Sequence, residues 1–219
     1  MDIKQQIAEV LSYYPKLNYH EISNSFHGEL YISAGDSYDV SIEIGTYPLN
    51  FPVVYEVGER IPREVHRHTY SDTGSCCLST QAKAQILLKT KITRLYHFIK
   101  DVVVPYFQNN SYYEINGKYN TEEYSHNSIG IVEAYRDILQ TNRDRNIAQL
   151  ILYHAQGNTK LRIHDTCYCG SGLSFKRCTH GKHFECYKDF RKIERETLQN
   201  DFVIFNQLLG KNKGNIYSL

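Results

Sequence analysis

Apolar residues at Ile3, Ile7, Val10, Leu11 and Tyr14 recur at three- and four-residue intervals. That spacing predicts an N-terminal helix, with Asp2 as its cap and Pro15 as its stop. The period then changes to two: Phe26, Gly28, Leu30 and Ile32 alternate with polar residues, as do Tyr38, Val40, Ile42 and Ile44. With Ala34-Gly35-Asp36 between them, the two runs form a hairpin with one apolar face. Two prolines in Tyr47-Pro48-Leu49-Asn50-Phe51-Pro52 pin the backbone, so that a third strand begins at Val53-Val54-Tyr55-Glu56-Val57. Beyond it the helical period returns. Leu95, Phe98, Ile99, Val102 and Val103 predict a helix over the sheet, with Thr90 at its cap and Pro105 near its end. Ile131, Tyr135, Ile138 and Leu139 predict another; Ile147, Leu150, Ile151 and His154 predict a third, closed by Gly157-Asn158. These stripes read as core, and His154 as a half-buried packing residue. A helix, an antiparallel meander and further helices make an α+β arrangement, not a doubly wound one.

Composition adds bounds to this picture. A chain of 219 residues suits one domain with an appendage, or two small domains, and 41% apolar residues are enough for a sizeable core. The net charge of +1 comes from nearly equal acids and bases, which argues against a nucleic-acid or membrane-surface partner. No apolar run approaches the ~20 residues of a membrane helix, and Met1-Asp2-Ile3-Lys4-Gln5-Gln6 lacks the apolar core of a signal peptide. The expected location is therefore cytoplasmic. Thiols stay reduced there, so the six cysteines are read as catalytic or metal-binding before they are read as disulfides.

Two cysteines, Cys76 and Cys77, follow the polar turn Ser71-Asp72-Thr73-Gly74, with His66 and His68 upstream and a helical segment after. A thiolate is the strongest nucleophile a side chain offers near neutral pH. An isolated Cys-Cys pair would still read as two small buried residues. The order of its neighbours changes that reading. A hairpin, a Tyr-Pro-x-x-x-Pro corner, a strand, a His-containing loop and then Gly74-Ser75-Cys76-Cys77-Leu78 form a series that resembles the catalytic core of ubiquitin-conjugating enzymes. The segment from Gln108 to Tyr135 is similar to bacterial members of this superfamily in antiphage defence operons of the CBASS type. The resemblance spans about the first two thirds of the chain.

The resemblance implies that Cys77 forms the thioester, with Cys76 at a normally aliphatic position. It implies that Cys77 accepts the C-terminal glycine of a protein partner, suggested to be a cyclic-oligonucleotide synthase, and passes it to a lysine amine. Two departures stand out. The family's His-Pro-Asn is replaced by a segment reading His68-Thr69-Tyr70, without the oxyanion-stabilising Asn, and Ser79 replaces the acidic residue after Cys-Leu. His66 or His68 then either serves the oxyanion or the proton, or simply braces the loop. No phosphate-binding glycine loop is visible, so adenylation would need another protein. The rival reading is a non-catalytic adaptor that keeps the fold as a binding platform.

A second cluster, Cys167-Tyr168-Cys169-Gly170-Ser171-Gly172 through Lys176-Arg177-Cys178-Thr179-His180, has the ligand types and short spacings of a closed tetrahedral zinc site. It matches the SEC-C motif, in which the fourth ligand directly follows the third cysteine. Thr179 holds that place here, so the expected ligands are Cys167, Cys169, Cys178 and His180, with His183 and Cys186 as substitutes. One structural zinc ion is expected, because four protein ligands leave no position for water. The predicted division is a ubiquitin-conjugating-enzyme-like domain at 1–158 and a zinc knuckle with a helical tail at 159–219. On that division a chain ending near Asn158 keeps its fold.

Overall fold

The computed structural model describes residues 2–121, 124–179 and 181–212. The chain divides into two compact units: residues 1–79 with 87–123, and residues 80–86 with 124–219.

The first unit opens with helix α1, Ile3–Tyr13. The Asp2 carboxylate accepts from the Gln5 N–H at 2.8 Å, and the Gln5 side chain accepts from the Asp2 N–H at 3.2 Å, so a capping box closes the helix start. Four strands follow: β1 Leu17–His20, β2 Ser25–Ser33, β3 Asp36–Glu43 and β4 Val53–Glu56. They pair antiparallel in the order β1-β2-β3-β4. The hairpin register sets Phe26 opposite Ile42 and Leu30 opposite Tyr38, so the alternating apolar set lies on one face. The meander has one strand more than the pattern predicts, because β1 is four residues long and buries Leu17 alone.

Helix α3, Leu95–Phe98, runs through a π turn at Ile99–Val103 into α4, Val104–Asn116. Pro105 therefore does not end the helix. Its ring would collide with the Asp101 carbonyl in a regular ladder, and the π turn opens the ladder at that point. Val10, Phe26, Leu30, Val40, Phe98, Val103 and Phe107 are fully buried and join helix and sheet in one core. Beside it, the Arg60 guanidinium bonds Asp36 at 2.6 Å and Glu114 at 2.9 Å, while Glu114 accepts from the Tyr38 hydroxyl at 2.9 Å.

The second unit is helical. Its first piece is the leading part of α2, Gln81–Leu88. Helices α5 Asn127–Leu139, α6 Asp144–Ala155, α7 His183–Phe190 and α8 Arg195–Asn212 complete it. Ala82, Ile86, Tyr135, Ile147, Ile151, Tyr187, Phe190, Leu198 and Phe205 share one core. The buried Gln85 amide donates to Thr197 at 2.9 Å and accepts from the Glu194 N–H at 2.8 Å.

The boundary expected at residue 158 is thus not where the chain divides. Helices α5 and α6 have their apolar stripes buried by α7 and α8 and belong with the C-terminal segment. The predicted tail helix is two helices, interrupted at Arg191–Glu194. His154 is half-buried on α6, and its ring Nε2 lies 3.0 Å from the Tyr187 hydroxyl.

Candidate thiol site and metal centre

The loop after β4 makes a 3-10 turn at Val65–Arg67 and leaves it through His68, whose φ of +52° reverses the chain. Residues 68–70 then pair with 75–77. The Cys77 N–H donates to the His68 carbonyl at 2.7 Å, and the Tyr70 N–H donates to the Ser75 carbonyl at 2.9 Å, flanking the bridge between Thr69 and Cys76. Gly74 closes the turn at φ +74°, and a Cβ there would press on the Arg63 guanidinium at 3.1 Å.

Side chains on paired strands alternate faces, so Thr69 and Cys76 share one face while Tyr70 and Cys77 share the other. Cys76 is 7% exposed, within the sheet–helix core, and burial pushes its thiol up to about 12. Thr69, on the same face, lies with its hydroxyl 3.4 Å from that of Tyr106. Cys77 is half-exposed, and its Sγ lies 3.3 Å from the Tyr70 hydroxyl, to which it donates. Burial of the phenol and the neighbouring Cys77 both raise the Tyr70 hydroxyl above its ordinary value, so that group acts as a hydrogen-bonding phenol and not as a base. The backbone puts a protonated thiol inside and an accessible one outside.

The two histidines take different places. His68 is buried across the pairing from Cys77, with its ring centroid 5.3 Å from that of Tyr119. His66 is exposed, and its Nε2 pairs with the Glu64 carboxylate at 3.1 Å. Tyr70 is the site residue that sequence reasoning missed. One tyrosine among 19 carries no signal until the hairpin register is known.

In the second unit, Cys167, Cys169, Cys178 and His183 hold their donor atoms within 4.8 Å of one another. A small hairpin builds this set: Thr166 bridges Ser174, and the Cys167 N–H donates to the Leu173 carbonyl at 2.8 Å. The 3-10 turn Phe175–Arg177 then returns Cys178, and α7 begins at His183 itself. Gly170 has φ +74°, and a Cβ on it would lie 2.7 Å from the Asn146 amide, which donates to the Tyr168 carbonyl. The predicted ligand His180 lies outside the described residues. Among the described residues His183, one of the two substitutes, completes the set.

Sulfurs of Cys169 and Cys178 are 3.6 Å apart, and the His183 Nδ1 lies 3.4 Å from Cys167 and 3.3 Å from Cys178. A tetrahedral ion with bonds of about 2.3 Å to sulfur and about 2.0 Å to nitrogen sets these separations near 3.8 and 3.5 Å. All six cysteines are free, so the close sulfurs are not a disulfide. The His183 Nε2 lies 3.2 Å from the Gln140 carbonyl. A carbonyl only accepts, so the Nε2 side is suited to donate and leaves Nδ1 as the nitrogen whose lone pair a metal ion would take. Burial pushes the Cys167 thiol up to about 12. Burial acts the same way on Cys169, but its hydrogen bonding with the side chain and backbone of Ser171 outweighs it and holds that thiol below its ordinary value. The four side chains fit a metal ion, and an ion held by all four has no open coordination position.

No helix among the described residues is long and apolar enough to cross a membrane. Comparisons with family models, with curated proteins and with solved structures give no match to this chain.

Proposed function

We propose that the chain is an acyl carrier of the ubiquitin-conjugating type, with Cys77 as the thioester-forming nucleophile and a structural zinc ion in the C-terminal unit. The observation that carries this reading is the pairing of residues 68–70 with 75–77. It turns Cys77 outward beside a phenol and turns Cys76 into the core. The setting at the end of a four-stranded antiparallel meander is the one that the sequence resemblance implies for such a nucleophile.

In this reaction the Cys77 thiolate attacks an activated acyl carbonyl at the C-terminal glycine of a protein partner and expels its leaving group. An amine then attacks the thioester, the Cys77 thiolate departs, and the amine gives up a proton. The partner class suggested by the resemblance is a cyclic-oligonucleotide synthase, within antiviral defence. Zinc is the ion we assign to the metal centre, because three thiolates and one imidazole in a tetrahedron suit it. Its role is to supply folding free energy to a hairpin with little core of its own.

An adaptor reading has one observation in its favour: His66 is engaged by Glu64 instead of being held for chemistry. The two readings separate in one experiment. The purified chain is mixed with the candidate synthase and its activating enzyme, and intact mass is recorded before and after thiol reductant. A carrier gains the mass of the synthase and loses it to the reductant. An adaptor binds the synthase and gains no mass.

A further inference from the structure

The near-zero net charge hides an uneven distribution. Residues 159–182 contain Lys160, Arg162, Lys176, Arg177 and Lys182 against the single acid Asp165, a surplus of four in a chain whose total is +1. All five cations are exposed, and none forms an ion pair among the described residues. Backbone pairing gathers them. The Lys176 N–H donates to the Ile163 carbonyl at 2.9 Å and the Phe175 N–H to the Asp165 carbonyl at 3.0 Å, which sets Lys176 and Arg177 beside Arg162. Arg143, also exposed, extends the patch, since its guanidinium would lie 3.5 Å from a Cβ on Gly170. Nearby acids already have cations of their own: Glu185 pairs with Lys188 at 2.7 Å, Asp189 with Lys192 at 2.5 Å, and Asp144 with Arg136 at 2.6 Å. The Asp165 carboxylate accepts from the Arg162 N–H at 2.6 Å. Three thiolates with a divalent ion would add one buried negative charge and leave the surface surplus in place.

We infer that this knuckle binds the phosphate backbone of duplex nucleic acid, with Arg162, Lys176 and Arg177 at the centre and Lys160, Lys182 and Arg143 flanking. Phosphate contacts are made by Arg, Lys, hydroxyls and backbone N–H groups, and the knuckle exposes Thr159, Thr166 and Thr179 among its cations. A protein-docking core would instead expose aromatic and aliphatic surface and few charges. Here Tyr168, Phe175 and Tyr187 are all buried, and the exposed apolar side chains are Ile163 and Leu173. The same buried rings remove the stacking platform that single strands use, so a duplex is favoured and base sequence is not read.

The test uses the full-length, metal-loaded chain and fluorescence anisotropy with labelled DNA and RNA duplexes of about 20 base pairs. The matching single strands and a polyglutamate peptide serve as further arms. With about four to five phosphates neutralised, affinity for a duplex should fall about 10²- to 10³-fold between 50 and 200 mM salt. The pair Lys176→Glu with Arg177→Glu should weaken binding at least ~10-fold and lower the salt slope by about 2. The pair Lys4→Glu with Lys118→Glu makes the same charge change on the first unit and should leave binding within about twofold. Metal content of each variant is measured, and Lys160→Glu with Arg162→Glu replaces the first pair if metal is lost. The DNA and RNA arms decide which duplex is the ligand. The inference is overturned if no duplex binds at 50 mM salt, if both pairs weaken binding equally, or if polyglutamate binds more tightly than either duplex. The last result would assign the patch to an acidic protein.

Discussion

At the scale of single residues, adjacent cysteines differ because a paired strand alternates its faces. Cys76 sits in the core with its thiol pushed up to about 12, and Cys77 is half-exposed beside the Tyr70 hydroxyl. Iodoacetamide at neutral pH should therefore modify Cys77 at least ~10-fold faster than Cys76, read by peptide mapping. Once Cys77 has lost its proton the Tyr70 hydroxyl can turn and donate to the thiolate, so Tyr70→Phe should slow Cys77 about threefold with the fold intact. An equal rate at both thiols contradicts the alternation. Asp201 is a second telling residue. It is buried, with its carboxylate accepting from the Tyr135 hydroxyl at 2.8 Å, and burial pushes it up to about 6 against that bond. Its folded form holds the proton more tightly than the unfolded chain does. The stability it contributes is fully present below pH 3.8 and is lost as pH rises through about 6. Asp201→Asn keeps an acceptor for Tyr135 without the titration. It should be more stable than the parent above pH 6 by up to ~3 kcal/mol, with the difference vanishing near pH 4, in denaturant titrations at each pH.

At the scale of elements, the amphipathic stripes of α1, α5 and α6 and the alternation of β2 and β3 were legible in the sequence, because each buries a full periodic face. Strand β1 was not, since one buried residue in four makes no pattern. The helix through Pro105 was hidden by the π turn, which no periodicity announces. Three metal ligands were legible from Cys167, Cys169 and Cys178. For the fourth the sequence leaves His180, His183 and Cys186 open; His180 lies outside the described residues, and among those described His183 completes the set at the start of α7. The division of the chain was misread. Which helices cover α5 and α6 is a long-range fact, and the apolar face of α8 answers it through Leu198 and Phe205. A chain ending at Asn158 loses Tyr187, Phe190, Leu198 and Phe205 from that core. It should bind a hydrophobic dye and lack a cooperative transition for the second unit. A chain ending at residue 123 should unfold cooperatively. Cooperative unfolding of all helices in the chain ending at Asn158 would contradict the observed packing.

At the scale of the molecule, two compact units carry two candidate chemistries, an accessible thiol in the first and a Cys/His cluster that can hold a metal ion in the second. If the ion stabilises the second unit, a chelator that strips it should abolish hydrogen-exchange protection in α5 to α8 and leave α1, β2 and β3 protected. Cys178→Ser should reproduce that pattern without chelator. Uniform loss across both units would contradict the division. The acyl chemistry proposed for Cys77 is decided by the mass of three proteins. Intact mass is measured for the parent, Cys76→Ala and Cys77→Ala after incubation with the activated protein partner. A reductant-sensitive adduct is expected on the parent and on Cys76→Ala, and none on Cys77→Ala. An adduct that survives Cys77→Ala and disappears in Cys76→Ala would contradict the assignment to Cys77.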